Sequence, residues 1–241
     1  MATTTPSPTL YVIGSGPGIG RAVAQLFSAK RYANVALFAR NQEQLKNDSE
    51  AVMSSSNNNN KKVQVRTYPV DVTDSASLSK ALDLAEQDLG KPDCVFYNAA
   101  RVLPSKLLEH DVGEIEYDFK INVSALYLVA QRYVPHLLDL AQQSPQSSKP
   151  ALIVTSSLLP KQPIPQVFAL SLVKAAQRNL MQSLYMTYGG DKGGGGVHIG
   201  VINVGGPVSP DSEERSPTRI AEVTWQWLDG AQAEPSFEVD V

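Results

Sequence analysis

A glycine-rich turn near the start of the chain constrains its fold more than any other feature. Residues 11–21, YVIGSGPGIGR, join an apolar strand to the start of a helix, and Gly14, Gly18 and Gly20 fit the spacing G-x-x-x-G-x-G. Glycine tolerates positive φ and lets the backbone approach an anion, and the first N–H groups of a helix are unpaired donors at its positive end. We expect positive φ at these glycines and Pro17 near the first helical turn. The turn predicts a phosphate site, although such turns also serve plain packing.

Length and composition restrict the class of protein. Of the 241 residues, 42% are hydrophobic, which is enough to bury a full core, and we expect one domain over residues 1–241. The net charge is −3, and no basic run could follow a nucleic-acid backbone or an anionic membrane surface. We therefore expect neither nucleic acid nor a membrane as a partner.

The sequence carries no signal for membrane insertion, export or metal binding. No apolar run approaches the ~20 residues that span a bilayer, and residues 1–8 lack the basic start and apolar centre of a signal peptide. Cys94 is the single cysteine, so no internal disulfide can form. The three histidines lack metal-ligand spacing. We expect a cytoplasmic protein without a metal site.

Strand patterns alternate with helical patterns along the chain. The strands predicted after the glycine turn cover residues 34–40, 63–70, 94–97, 151–157 and 237–239, and the predicted helices cover residues 19–32, 42–53, 77–89, 112–141, 166–188 and 218–228. The polar segment 54–60 predicts a loop, and Pro135 predicts a bend in the longest helix. The alternation predicts an α/β fold: one doubly wound, Rossmann-type parallel sheet of about seven strands, with helices on both faces and ligands at the carboxyl ends of the strands.

The residues after the second strand indicate which dinucleotide would bind. In dinucleotide-binding folds the adenosine ribose lies over the end of this strand, where an acid binds a free 2′-hydroxyl. Ala39 stands at that position, and Arg40 follows it as a planar cation that could pair with a 2′-phosphate. This favours NADP(H) over NAD(H), the alternative being that Arg40 is only a solvated residue. Asp71, after the third strand, could accept from the adenine amino group.

Several motifs together resemble the short-chain dehydrogenase/reductase family over nearly the whole chain. They are Gly14-x-x-x-Gly18-Ile19-Gly20, Asp71-Val72-Thr73, Asn98-Ala99, Asn122, Ser156-Ser157 and Lys174-Ala175-Ala176. The resemblance implies a homodimer or homotetramer, and a catalytic set that includes Asn122, Ser157 and Lys174. It also implies cofactor contacts from Gly14, Ser15, Gly18, Ile19, Gly20, Arg40, Asp71, Val72, Asn98, Ala99, Lys174 and Val208.

One expected catalytic residue is absent. The family carries Tyr-x-x-x-Lys on one helix, and counting back from Lys174 places Leu170 at the tyrosine position. A phenol with its pKa lowered by a nearby ammonium can give a proton to the carbonyl that receives hydride, whereas leucine has none to give. Loss of such an acid typically removes ~10²–10⁴ in rate, so ordinary ketone or aldehyde reduction should be severely impaired.

Further departures surround the expected pocket. Ala100 replaces the glycine of the family's Asn-Ala-Gly, and Arg101 follows it as a candidate catalytic cation in the pocket. After the strand expected between helices 166–188 and 218–228, residues 205–210 lose a hydroxyl that in the family usually helps to hold the cofactor, and segment 210–217 is short for a substrate lid. An open pocket could admit a bulky substrate. Of Trp225 and Trp227, which cannot share a helix face, we expect one in the core and the other at a pocket mouth or subunit contact.

Three functions remain open at this level. The first is an NADP(H)-dependent oxidoreductase acting on an iminium or another activated, conjugated acceptor that needs no phenol, as in specialised metabolism. The second is a non-redox cyclase or isomerase, for example a pericyclase, that reuses the dinucleotide pocket. The third is a binding protein that has lost catalysis.

Overall fold

A computed structural model describes residues 7–57, 62–143, 149–190, 196–230 and 236–241. Seven strands form one parallel sheet in the order β3-β2-β1-β4-β5-β6-β7. They are β1 (Thr9–Ile13), β2 (Asn34–Ala39), β3 (Gln64–Pro69), β4 (Cys94–Tyr97), β5 (Ala151–Ser157), β6 (His198–Val204) and β7 (Glu238–Asp240). The helices are α1 (Ile19–Lys30), α2 (Gln42–Asn57), α3 (Ser75–Leu89), α4 (Val112–Phe119), α5 (Ala125–Gln143), α6 (Phe168–Tyr188) and α7 (Pro217–Gly230).

The helices cover both faces of the sheet, which confirms the predicted doubly wound α/β fold. One core cluster joins a face of the sheet to α3, α5 and α6, for example through Leu82, Val129 and Met181. The other joins the opposite face to α1, α2 and α7, through side chains such as Phe27 and Leu45. Strands β1, β4 and β6 are buried along their whole length, because helices shield both faces, and β4, together with β1 after Thr9, reads as a continuous apolar run.

Helix α2 extends into the segment that the sequence analysis predicts as a loop. Residues 54–57 are helical, and the hydroxyls of Ser54, Ser55 and Ser56 each donate to the backbone carbonyl four residues earlier. These bonds give the serines partners within the helix, which explains why a polar run does not end it. Residues 58–60 of the predicted loop lie outside the described residues.

The predicted long helix of residues 112–141 is divided, but not by Pro135. A π-helical turn, Lys120–Ser124, separates α4 from α5, and Pro135 lies inside α5, which continues past it to Gln143. In this turn the N–H of Ala125 donates to the carbonyl of Lys120, a bond to the fifth residue back. The turn contains Asn122, so the irregularity lies at a candidate catalytic residue.

Helix α7 partly buries both of its tryptophans. Trp225 packs edge-on against Phe27 of α1, with ring centroids 5.0 Å apart, and Trp227 packs edge-on against His198 of β6 at 4.2 Å. Both side chains therefore contact the core from different sides of the helix. Both side chains remain partly exposed, so a pocket-mouth or subunit contact by one of them stays a prediction.

None of the described helices combines the length and apolar character needed to cross a membrane.

Candidate active site

The glycine turn brings the ends of β1 and β4 into close contact. Gly14 has a φ of 95°, and a Cβ added there would lie 2.3 Å from the backbone nitrogen of Ala99. A Cβ on Gly20 would lie 2.6 Å from the carbonyl oxygen of Gly14. Positive φ is therefore needed at Gly14 alone of the three motif glycines, and Gly20 serves the packing of α1 on the turn.

Open space lies in front of the first turn of α1. Gly18, with a φ of −97°, is the N-cap residue, so Pro17 lies before the helix and not in its first turn as expected. No side chain caps this helix, and no acidic residue occupies its first turn. A Cβ added to Gly16 or Gly18 would meet no atom within 4 Å. An anion can therefore approach the positive end of α1 directly.

A small cavity of about 210 Å³ lies beside this turn, at the carboxyl ends of β1 to β4. The predicted cofactor contacts that line it are Gly14, Ser15, Arg40, Asp71, Val72, Asn98 and Ala99. The site also contains a residue that the sequence analysis missed: the phenol oxygen of Tyr117, on α4, accepts from Arg40 Nη1 at 3.3 Å and donates to Asp71 Oδ2 at 3.2 Å. Nothing local to residue 117 signals this contact with residues far away in the chain.

The Asp71 carboxylate is held by hydrogen bonds. Its Oδ1 accepts from the backbone nitrogen and the hydroxyl of Thr73, at 2.9 and 2.8 Å. Burial alone would raise the pKa of Asp71, but the hydrogen bonds from Thr73 and Tyr117 outweigh burial and lower it. Asp71 therefore presents an ionised acceptor to the small cavity.

The hydroxyl of Ser15 is already engaged by helix α2. It donates to Oδ2 of the buried Asp48 at 2.7 Å, and Asp48 Oδ1 accepts from Gln44 Nε2 at 2.7 Å. Asp48 was not singled out from the sequence, because it lies among other polar residues of α2. Its carboxylate fixes one side of the glycine turn. The backbone nitrogen of Ser15 donates to the carbonyl oxygen of Phe38 at 2.9 Å, so the lone pairs of the Ser15 hydroxyl are left for a ligand.

A larger cavity of about 650 Å³ continues from the small one, since Asn98 and Ala100 line both. Leu170 and Lys174 of α6 face it together with the end of β5 and the loops that follow β4, β5 and β6. Ile19, Ser157 and Val208, also predicted as site residues, line it as well.

Lys174 is tied to two other elements at the rear of this cavity. Its Nζ donates to the carbonyl oxygen of Thr155 at 2.9 Å and to Gln177 Oε1 at 2.8 Å. Gln177 Nε2 in turn donates to the carbonyl oxygen of Asn122, in the π-helical turn, at 2.9 Å. Burial lowers the pKa of the Lys174 ammonium to about 7. Gln177 was missed from the sequence, although its spacing of three residues places it on the same helix face as Lys174.

Three hydroxyls at the end of β5 also border the cavity. Ser157 Oγ accepts from the backbone nitrogen of Leu159 at 3.3 Å, whereas the buried Oγ1 of Thr155 and Oγ of Ser156 have no hydrogen-bond partner. Asn122 lies behind Lys174 and does not line the cavity. Its Nδ2 donates to the carbonyl of Asp118, and its buried Oδ1 has no partner.

Arg101 lies outside the cavity. Its guanidinium forms ion pairs with Asp118 at 2.7 Å and Glu114 at 2.6 Å, and it stacks over the ring of Tyr117 at 4.8 Å. Two carboxylates on α4 therefore neutralise its charge. The expectation that Arg101 supplies a cation to the pocket does not match this geometry.

The described residues that line the larger cavity include no tyrosine, histidine or carboxylate, and Lys174 is the one titratable side chain among them. Leu170 is buried and lies one turn before Lys174, at the position where the family resemblance places a tyrosine. The structure thus brings Ser157 and Lys174 together without a phenol between them.

These features fit a dinucleotide in outline. The uncapped start of α1 can take a pyrophosphate, the small cavity can take the adenosine half beside Arg40 and Asp71, and the larger cavity can take a nicotinamide beside Lys174. The unpartnered oxygens of Thr155 and Ser156 show that this end of the site retains unused hydrogen-bonding capacity. The topology and the glycine turn together define a Rossmann-type α/β fold whose crevice opens where the strand order reverses between β1 and β4.

Comparison with known proteins identifies the family. The sequence model of the short chain dehydrogenase family matches residues 8–219, so the chain belongs to this family. An uncharacterized oxidoreductase of Staphylococcus aureus (strain USA300) is 30% identical over 128 residues, which are 53% of this chain and 52% of that protein. The chain thus spans about half the length of the curated relatives it matches.

Solved structures share the fold. An NADPH-bound short chain oxidoreductase from Pseudomonas aeruginosa PAO1, described as containing an atypical catalytic center, superposes with a TM-score of 0.78 at 20% identity, covering 98% of this chain and 97% of that one. An NADH-dependent reductase, A1-R′, complexed with NAD, gives a TM-score of 0.80 at 15% identity, covering 98% and 95%. At these identities the likeness concerns the fold alone.

Proposed function

We propose that this protein is an NADP(H)-dependent oxidoreductase that reduces a bulky, conjugated carbonyl compound. The observation that carries the proposal is the larger cavity, which has a leucine at the tyrosine position and Lys174 as the titratable group among its described lining residues. A saturated ketone needs a proton on its oxygen as the hydride arrives, and this site offers no phenol to give one. A conjugated acceptor avoids that requirement.

The charge of the lining favours a conjugated carbonyl over an iminium. A bound nicotinamide would supply hydride to the β-carbon, and the negative charge would then spread over an enolate instead of residing on an alkoxide. The protonated fraction of Lys174 and the hydroxyls of Thr155 and Ser157 can stabilise an enolate oxygen. A cationic iminium substrate would find no carboxylate among the described lining residues to balance its charge, which disfavours its binding.

The shape and lining of the cavity support a large apolar substrate. Its volume is about 650 Å³, and side chains such as Leu158, Ile164, Val167 and Leu170 form much of the wall. Residues 205–216, between β6 and α7, contain no helix that could close over it. Bulky conjugated carbonyl compounds are common in specialised metabolism, and we place the enzyme there.

We assign the cofactor as NADP(H) because Arg40 lines the adenosine cavity directly after β2, with Ala39 where an acid would bind a ribose hydroxyl.

We also propose a cytoplasmic homodimer or homotetramer. In support, Tyr127 of α5 and Leu172 and Met186 of α6 are more than half exposed on the outer faces of these helices. Size-exclusion chromatography with light scattering would measure the assembly.

The test is hydride transfer with deuterium-labelled cofactor. The purified protein is incubated with NADPH carrying deuterium at either face of C4 and with a series of enones of increasing apolar bulk, alongside saturated ketones of matched size. We expect deuterium at the β-carbon of the bulky enones and little reduction of the ketones. Normal NADPH binding without transfer to any enone would refute the proposal.

A non-redox cyclase or isomerase is the second candidate. It is favoured by the absence of a carboxylate, histidine or tyrosine among the described lining residues, because a pericyclic reaction needs mainly orientation and exclusion of water. Turnover of a polyene substrate that persists after all nicotinamide nucleotide is removed would support this function. Stoichiometric consumption of NADPH would exclude it.

A further inference from the structure

Lys174 occupies an environment with two acceptors for its nitrogen. The carbonyl oxygen of Thr155 and Oε1 of Gln177 each accept one hydrogen from Nζ, at 2.9 and 2.8 Å, and neither acceptor is charged. An ammonium has three hydrogens to place, whereas a neutral amine has two hydrogens and one lone pair. The described residues therefore accept both hydrogens of a neutral amine and offer no acceptor for the third hydrogen of an ammonium.

Gln177 holds this arrangement in place. Its side chain is buried, and its Nε2 donates to the carbonyl oxygen of Asn122 at 2.9 Å, so its Oε1 is the atom that faces Lys174. A glutamate at this position would provide a charge to stabilise the ammonium, and a glutamine does not. Burial without a carboxylate partner lowers the pKa of Lys174 to about 7, so a substantial fraction is the neutral amine near neutral pH.

Lys174, whose nitrogen has this free position, lines the larger cavity. Leu170, one turn earlier on α6, borders the same cavity, and no phenol lies there to compete for the lone pair. Thr155 and Ser156 line the cavity as well, and their buried hydroxyl oxygens have no partner among the described residues. An amine with a free position and an apolar wall therefore border one cavity.

We propose that Lys174 is a covalent capture site that forms an imine with an apolar aldehyde. The lone pair of Nζ attacks the carbonyl carbon, a proton moves from nitrogen to oxygen, and a carbinolamine results. Its hydroxyl then leaves as water while the C=N bond forms, and hydrolysis reverses the reaction. This activity requires no nicotinamide and is separate from the proposed hydride transfer.

The experiment traps the imine by reduction. The protein, freed of nicotinamide nucleotides, is incubated at pH 7 with 3-phenylpropanal and sodium cyanoborohydride, which converts an imine to a stable secondary amine, and the adducts are located by peptide mass spectrometry. Lys106, whose side chain is 81% exposed, serves as the internal reference for a solvated lysine. We expect Lys174 to be modified at least ~10-fold faster than Lys106, because the lowered pKa of Lys174 gives it a substantial neutral fraction at pH 7.

Two variants make the test specific to this geometry. Gln177→Glu should slow the modification of Lys174 by at least ~10-fold, because a carboxylate beside Nζ stabilises the ammonium. Gln182→Glu makes the same substitution at an exposed position of α6 and should leave the rate unchanged. Glyceraldehyde, a polar aldehyde, should react poorly with Lys174 in the wild-type protein.

The proposal is overturned if wild-type Lys174 reacts no faster than Lys106. It is equally overturned if correctly folded Gln177→Glu protein reacts as fast as the wild type. Either result would identify Lys174 as a buried structural or cofactor-binding cation. Since the measurement contains no NADPH, its failure would leave the proposed reduction of enones unaffected.

Discussion

Leu170 lies one helical turn before Lys174, on the same face of α6, and both residues line the larger cavity. The pair has the spacing at which two helical side chains are neighbours. The lysine therefore lies beside an apolar side chain, and the site can polarise or bind a substrate oxygen without protonating it from a phenol.

Restoring a phenol should restore ordinary carbonyl reduction. We expect Leu170→Tyr to raise kcat/KM for a saturated ketone with NADPH by ~10² relative to Leu170→Phe, because the added hydroxyl can act as a general acid beside Lys174. The phenylalanine variant controls for the change in size. Initial rates of NADPH oxidation measure the effect, and equal rates for the two variants would show that the missing phenol does not limit this reaction.

Arg40 should determine the preference between the two dinucleotides. We expect Arg40→Ala to weaken NADPH binding about tenfold, through the loss of a charge-assisted hydrogen bond, and to leave NADH binding nearly unchanged. Arg219→Ala, which removes an exposed cation on α7, is the matched control. Fluorescence titration gives both dissociation constants. A parallel loss for NADPH and NADH would argue that Arg40 does not contact a 2′-phosphate.

Gly14 and Gly18 should respond differently to the same substitution. Gly14→Ala would place a Cβ 2.3 Å from Ala99 at a residue with positive φ, so we expect a loss of more than about 3 kcal/mol in the free energy of unfolding. Gly18→Ala meets open space and should cost at most about 1 kcal/mol, yet it should weaken NADPH binding because its methyl enters the anion site. Denaturant unfolding and cofactor titration separate the two effects. Similar stability losses in both variants would contradict this assignment.

Glu238 should make the fold sensitive to acid. Burial alone would raise its pKa, but hydrogen bonds from Lys161, Asn203 and Arg178 outweigh burial and lower the pKa to about 2. A carboxyl with a lowered pKa in the folded state stabilises the protein above its ordinary pKa of about 4.5. That contribution is lost as the pH falls from about 4.5 towards 2.

Thermal unfolding of the wild type and of Glu238→Gln measures this contribution. At pH 7 we expect the variant to unfold about 2–4 °C lower, which corresponds to about 1 kcal/mol for a chain of this size. The difference should shrink as the pH falls below about 4.5, because the Glu238 carboxyl is then protonated in the unfolded state and the stabilisation that comes from its lowered folded-state pKa is progressively lost. A difference that stays constant down to pH 3 would contradict the assigned charge network.

The sequence alone determined the alternation of strands and helices and, from it, the class of the fold. Runs such as Cys94–Tyr97 and Ala151–Ser157 were predicted with the bounds that the structure has. The place of Leu170 also followed from spacing alone. These features depend on neighbours within a few residues, so a linear pattern contains the information.

Only the tertiary structure decided which side chains meet. Arg101 pairs with Asp118, Tyr117 bridges Arg40 and Asp71, and Gln177 joins Lys174 to the turn that contains Asn122. Most of these contacts join residues far apart in the chain, and their hydrogen bonds depend on how α4 and α6 pack over the sheet. A local sequence pattern specifies neither these long-range contacts nor the packing of the helices. The sequence therefore indicated Lys174 but not Gln177, which orients it.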